Sequence, residues 1–332
     1  MNPTVYLGIP DARPDYVQAC RDLDAPIMIS AAAFSRRWTV QMREDGEEHP
    51  GFRKPPSDRF QGLRVALDSM GFTAMMLWGG YPVTPTQYFL DLVRHHDWDF
   101  WSSQDLCCEP EVAQSPEEIC ARLMETAWRY DELSAWSRSM VMPNGNTIKP
   151  PMKIVQGWDW SHYLISAEAL EITAADEMIG IGSVCKRGRS GPAGVLTIVD
   201  QLDRNLPPGV RFHLFGVTSS VLSELASHPR VASMDSQAWG LALRKEHPTG
   251  RTNALAVEYM ARFYRAQQAH IARGNKGYFA SGDLPLRPPP IWQGRSQEYR
   301  RRAAEVLHAV RNGELEAWQY GLRMEMFSPE AL

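Results

Sequence analysis

Val231-Ala232-Ser233-Met234-Asp235-Ser236-Gln237-Ala238-Trp239 is a short apolar run that ends on an acid and then turns polar. The same pattern recurs along the chain. Asp68 follows Leu63-Arg64-Val65-Ala66-Leu67, Asp105 follows Trp98-Asp99-Phe100-Trp101, Gln156 follows Lys153-Ile154-Val155, and Ile179-Gly180-Ile181-Gly182-Ser183 ends in glycines. A strand that closes on a polar residue, repeated, is how a (β/α)8 TIM barrel gathers chemistry at the C-terminal mouth of its strands. Helical periodicity fills the gaps, at 86–95, Pro116–Ser139 and 167–175, so the spacing predicts an α/β fold with a parallel sheet inside and helices outside. Ser115-Pro116-Glu117-Glu118 opens the second of these with an N-cap, a first-turn proline and two acids at the positive end of the helix dipole.

The chain of 332 residues suits one barrel over residues 1–280, with an insertion near 36–59. A proline-rich segment and C-terminal helices, including the basic stretch 297–313, are expected to pack on the barrel over 281–332. Both 36–59 and 280–293 read as loops, because prolines and charges interrupt the helical pattern there. No run of 18 uncharged apolar residues occurs, and Met1-Asn2-Pro3-Thr4 starts no basic-then-apolar leader, so a cytoplasmic protein is expected. Five cysteines form no regular framework, which fits reduced thiols. A net charge of −4 does not exclude a nucleic-acid partner, because what counts is whether the cations cluster on one face.

The polar strand ends carry a family resemblance. Leu67-Asp68-Ser69-Met70-Gly71-Phe72-Thr73 resembles the Asp-Ser-Gly-Gly-Phe motif of queuine-type tRNA-guanine transglycosylases, and Ile154-Val155-Gln156-Gly157 their Val-Gln-Gly strand end. Ile179-Gly180-Ile181-Gly182-Ser183-Val184 is similar to the glycine-rich base-binding strand, His213-Leu214-Phe215-Gly216-Val217 to the Leu-Met-Gly-Val segment, and Met234-Asp235-Ser236 to the Phe-Asp-Cys nucleophile segment. Each motif is short, and all five stand in the family's order. Trp101-Ser102-Ser103-Gln104-Asp105, Cys107-Cys108-Glu109-Pro110-Glu111 and Gly182-Ser183-Val184-Cys185-Lys186-Arg187 bring the resemblance closer to the DNA-modifying branch, the DpdA-type deazapurine DNA transglycosylases.

The resemblance implies a tRNA-guanine-transglycosylase-type barrel in which Asp235 is the nucleophile at C1′ of a deoxyguanosine and Asp68 the proton-transfer residue. It makes Phe72 and Phe215 faces for stacking, and Asp105 and Gln156 hydrogen-bond partners of the guanine edge. Gly180 and Gly182 would let the backbone approach the base, with a Gly182 or Ser183 N–H for O6. The residue types suit the task, since a carboxylate is a competent nucleophile, while carboxylate and amide match the N1–H, N2–H2 and O6 of guanine. Taken singly, an aspartate after a strand is more often an N-cap or turn former, a strand glycine marks close packing about as often, and a Phe there is commonly core.

The implied partners are DNA and a free 7-deazaguanine base such as 7-cyano-7-deazaguanine, in a phage or mobile-element setting, with no cofactor. No metal is expected: the tRNA enzymes carry a Cys-x-Cys-x-x-Cys and His zinc site after the nucleophile, and this chain has no cysteine after Cys185. His95-His96, His213, His247 and His270 supply no second ligand pair at metal spacing. For DNA contact the sequence offers Lys186, Arg187 and Arg189 just past the glycine strand, then Arg262 and Arg265, with Arg36-Arg37 and Arg300-Arg301-Arg302 as further options. Met70 stands where the family motif has its first glycine, which puts the geometry of that turn in question. The competing readings are the same exchange on tRNA and a nucleic-acid-binding barrel without turnover.

Overall fold

The computed structural model describes residues 2–35, 51–113, 115–185 and 187–274. Seven parallel strands form one sheet: β1 (Thr4–Ile9), β2 (Ile27–Ser30), β3 (Val65–Asp68), β4 (Ile154–Val155), β5 (Met178–Ile181), β6 (Arg211–Leu214) and β7 (Val231–Ser236). Their order across the sheet is β3-β2-β1-β7-β6-β5-β4. The outer strands β3 and β4 are joined through the segment 99–103. Its backbone takes the ladder bonds Asp99 N to Val65 O (2.8 Å), Leu67 N to Phe100 O (3.0 Å) and Ser102 N to Leu67 O (2.9 Å) on one side. On the other it takes Met152 N to Trp101 O (2.8 Å) and Ser103 N to Met152 O (3.2 Å). Both bridges are parallel, so this segment fills the gap between the sheet's two edges and leaves neither open to another chain.

Helices follow the strands: α1 (Pro14–Asp22), α2 (Gly71–Trp78), α3 (Pro85–Asp91), α4 (Pro116–Ser139), α5 (Trp160–Ala169), α6 (Val195–Asn205), α7 (Leu222–Leu225), α8 (Ala238–Glu246) and α9 (Asn253–Arg273). Successive strand residues point to opposite faces, and the two buried clusters separate by that rule. Leu7, Ile27, Ile29, Leu67, Val155, Ile179, Ile181, Leu214 and Met234 pack outward with the helices. Tyr6, Met28, Ala66, Phe100, Met152 and Ile154 fill the interior, with Met178 and Phe215 against them. Alternation then puts Asp68, two residues beyond Ala66, on the inner face, together with Gln156, Gly182, His213 and Asp235. At the opposite end of the strands Tyr6 donates to Asp99 (2.5 Å) and accepts from Arg64 (2.8 Å), and burial with the neighbouring Asp99 raises the phenol's pKa.

One expectation about helices needs correction, and one helix is unexpected. The helix placed at 167–175 ends at Ala169 and starts at Trp160, because the Asp159 side chain caps it through the N–H groups of Ser161 (2.9 Å) and His162 (3.3 Å). Helix α2 went unread because its sequence GFTAMMLW is apolar all round and shows no helical stripe. Within the expected insertion, Ser35 and Phe52 form an antiparallel bridge and Phe52 is buried against Tyr88; residues 36–50 lie outside the described residues. The expected extension 281–332 lies outside them too.

Candidate active site

Asp68 closes β3, Asp105 follows the 99–103 segment, Gln156 follows β4, Gly182 and Ser183 follow β5, Phe215 follows β6 and Asp235 stands in β7. All are at the C-terminal ends of their strands, and the charge of Asp235 is felt at Asp68 and that of Asp68 at Asp105. Burial lifts Asp68 to about 6, and Asp235 adds to the rise, while the Ser30 hydroxyl and the Met70 N–H (3.0 Å) oppose it. Burial lifts Asp105 to about 7, with Asp68 and Glu109 adding to it and the Ser69 hydroxyl opposing.

Asp105 is held on both sides. Ser69 donates to Oδ1 (2.5 Å), and the Gln156 amide donates to Oδ2. Tyr81 accepts from the Asp105 N–H (3.1 Å) and donates to its carbonyl (2.9 Å), while contacting Ser69 at 2.8 Å. The Gln156 carbonyl accepts from Ser183 Oγ (2.5 Å), which itself accepts the Cys108 N–H (2.8 Å) and lies 3.1 Å from Glu109. A hydroxyl has one proton, so Ser183 serves the nearer oxygen, and the orientation of the Gln156 amide is fixed with one N–H to spare. A Cβ at 182 would displace the locked Gln156 amide, and one at 180 would displace the Phe215 ring and Ile154, so glycine at both keeps these side chains in place.

Asp235 is 9 % exposed and accepts the Gly216 N–H at Oδ1 (3.1 Å). His213, fully buried in β6, brings Nε2 to 3.4 Å from the same oxygen.

Several sequence expectations change. Gly182 cannot offer its N–H to a base, because the ladder bond to Val155 O (3.0 Å) uses it; the Ser183 N–H has no partner among the described residues. Ser183 holds φ at +50°, an unusual conformation for a residue with a Cβ. Phe72 is 38 % exposed on α2, whereas Phe215 packs on the interior cluster beside His213. Arg187 does not face a polyanion. It is 6 % exposed and its guanidinium is spent on the carbonyls of Ser183, Trp158, Ala193 (3.0 Å) and Gly157 (2.6 Å), over the Trp158 ring at 4.2 Å. It ties the loop after β5 to the end of β4.

Arg189 is half exposed and paired with buried Glu224 (2.5 Å). Arg262 is paired with Glu246 (3.6 Å), and Arg265 is exposed, both on α9, whose contacts are with α1, α7, α8 and β1; the structure does not bring them to the acid cluster. Lys186, Arg36, Arg37 and Arg300 to Arg302 lie outside the described residues. Cys107 and Cys108 are buried free thiols whose pKa burial pushes up. Among the described residues no group of three or more His, Cys, Asp or Glu is arranged to hold a metal ion, and no helix is long and apolar enough to cross a membrane.

Sequence reading missed Ser69, Tyr81, Glu109 and His213. A signal existed for the last: His213 and Phe215 share a strand face by period two, as do Ser233 and Asp235.

A parallel α/β barrel with buried acids and an amide at the C-terminal strand ends defines the class: a barrel that carries its chemistry at the mouth. Residues 60–272 match the family model of DpdA, DeoxyPurine in DNA protein A, and the chain belongs to that family. No curated protein matches. Among solved structures the chain is similar to one described as a fructose-1,6-biphosphate aldolase of Coccidioides immitis, at 12 % identity and a TM-score of 0.39, over 84 % of this chain and 94 % of that one.

Two predictions follow from this geometry. Arg187→Ala leaves four carbonyls short of a charged donor, and chemical denaturation is expected to show a loss of about 1.5–3 kcal/mol, with the salt dependence of polyanion binding unchanged. The second concerns pH. Folded Asp68 and Asp105 ionise above the unfolded value near 3.9, so the native state keeps their protons longer, and stability falls as pH rises from about 4 through about 7. Asp68→Asn is therefore expected to be more stable than the parent by about 1–3 kcal/mol at pH 8 and indistinguishable from it near pH 4. Equal gains at both pH values would contradict the assignment.

Proposed function

We propose that this barrel exchanges guanine in DNA for a 7-deazaguanine base, 7-cyano-7-deazaguanine or a derivative, through a covalent Asp235–deoxyribose intermediate, and so acts as a pentosyltransferase. The observation that carries the reading is the joining of two sets at one mouth: Asp235 and Asp68, close enough for one charge to act on the other, and Asp105–Gln156–Ser183 locked together beside them. Membership of the DpdA family supports DNA as the polymer.

The second set matches a guanine edge. Asp105 offers lone pairs to N1–H and N2–H2, while the spare Gln156 N–H and the Ser183 N–H suit O6. Phe215 and Phe72 are the two aromatic faces offered to the ring. Because C1′ and N9 are shielded in a stacked duplex, the target nucleotide enters flipped out or from a single strand.

In the first step a carboxylate oxygen of Asp235 bonds to C1′ as the C1′–N9 bond breaks, and that electron pair leaves with guanine, which takes a proton from Asp68. In the second, the incoming deazaguanine gives its N9 proton to the Asp68 carboxylate and its N9 lone pair to C1′, and Asp235 departs as a carboxylate. A pKa of about 6 for Asp68 suits a group that must both give and take a proton near neutrality.

The test is an attempt to trap a denaturation-resistant adduct on DNA and on tRNA in parallel, followed by digestion to nucleosides and mass spectrometry with 7-cyano-7-deazaguanine as the added base. The parent is expected to form the adduct and the modified nucleoside on DNA. Asp235→Asn is expected to form neither while binding DNA within about twofold of the parent, since an amide is no nucleophile here. Exchange by that variant near the parental rate would remove Asp235 from the chemistry, and an adduct on tRNA alone would assign the other polymer.

A further inference from the structure

His213 has no part in the exchange described so far, yet its surroundings are arranged around it. Its ring is fully buried between Tyr6 (centroids 5.9 Å apart), Phe100 (4.8 Å) and Phe215 (4.5 Å). Nδ1 lies 2.8 Å from Ser233 Oγ. Nε2 is buried with no hydrogen bond made among the described residues, and it lies 3.4 Å from Asp235 Oδ1, an ion-pair distance longer than a formed bond. Catalytic contacts in substrate-free sites are commonly long and tighten when the site engages.

The tautomer follows from the neighbours. Were Nδ1 protonated, the Nε2 lone pair of a neutral ring would face a carboxylate across 3.4 Å with nothing to offset the repulsion. With the Ser233 hydroxyl donating to Nδ1 at 2.8 Å in preference to the Met178 thioether at 3.7 Å, a weak acceptor, the Nε2–H points its positive end at Oδ1 instead. Oδ1 also takes the Gly216 N–H, and among the described residues no hydrogen bond reaches Oδ2. The two oxygens of the nucleophile are therefore distinct.

We infer that His213 is a positioning residue for Asp235: with the Gly216 N–H it holds Oδ1, leaves Oδ2 to bond C1′, and stabilises the carboxylate as it departs in the second step. This rests on the proposed exchange. The free carboxylate shares its charge between Oδ1 and Oδ2, whereas in an ester made through Oδ2 the Oδ1 atom keeps only the partial charge of a carbonyl oxygen. Donors to Oδ1 therefore favour the free enzyme over the adduct, and their loss slows resolution of the adduct more than its formation.

Two measurements test it. The first needs no substrate: ring nitrogen spectra of histidine-labelled protein, with the His213 signals identified by their loss in His213→Phe. The Nε2–H tautomer is expected, with Asp235→Asn moving the Nε2 resonance more than Nδ1; an Nδ1–H tautomer, or an Nε2 resonance indifferent to that substitution, would overturn the assignment. The second follows the adduct on DNA. His213→Phe keeps a ring in the aromatic cage and removes both nitrogens, so it is expected to fold and to hold the adduct about tenfold longer or more, while His213→Gln, which restores an N–H near the Nε2 position, returns the lifetime toward the parent's. A proportionate fall in formation and resolution, matched by the Gln variant, would make the role structural and sink the inference. If the parent forms no adduct on either polymer, the exchange reaction falls, and the spectra alone decide whether His213 holds Asp235.

Discussion

Three carboxylates share the mouth of one barrel, where Asp235 makes ionising Asp68 more costly and Asp68 does the same to Asp105. The rest of the site is organised around that cost. Ser30 and the Met70 N–H favour the anion of Asp68, Ser69 and Gln156 favour that of Asp105, and Gly216 serves Asp235. None of these donors is a cation. Neutral dipoles lower the cost of each charge without cancelling it, so Asp68 and Asp105 stay poised near neutrality rather than locked as ion pairs. The nearby cation, Arg187, is aimed away from them, at four backbone carbonyls.

The turn after β3 shows how the scaffold serves that arrangement. Met70 occupies the left-handed region at φ +69°, a conformation that favours glycine and is taken here by a residue with a side chain. The strain is of the order of 1–2 kcal/mol for a non-glycine, and burial of the Met70 side chain, 1 % exposed within the main core, offsets it. What the turn secures is the Met70 N–H on Asp68 and the close pass of Gly71 beneath Asp105, where a Cβ would strike the Asp105 carbonyl.

How much of this the sequence discloses depends on the range of the interaction. Asp68, Asp105, Gln156 and Asp235 are legible because strand periodicity is local and each ends an apolar run. Arg187 is misread for the opposite reason. A basic run after such a strand looks like a phosphate grip, but the direction of the Arg187 side chain is set by the carbonyls of Gly157 and Trp158, about thirty residues away. The fastening of Gln156 by Ser183, and of Asp105 by Ser69 and Tyr81, likewise pairs residues from different strand ends, and no local pattern encodes it. The closing segment 99–103 is readable as apolar, but its role in joining β3 to β4 depends on both partners being in place.

An acid-lined mouth in a chain of net charge −4 looks ill suited to a polyanion, and the contradiction resolves by depth. The acids lie at the strand ends, on the inner face and largely buried, where a phosphate would meet repulsion and a costly loss of hydration. A purine edge bearing N1–H and N2–H2 brings donors and no charge. In the proposed exchange, the same field that rejects the backbone would therefore favour entry base first, with C1′ reaching Asp235 last and the phosphates left outside. On that proposal, discrimination between base and backbone comes from the carboxylates themselves, and cations for the flanking phosphates need not lie within the cup.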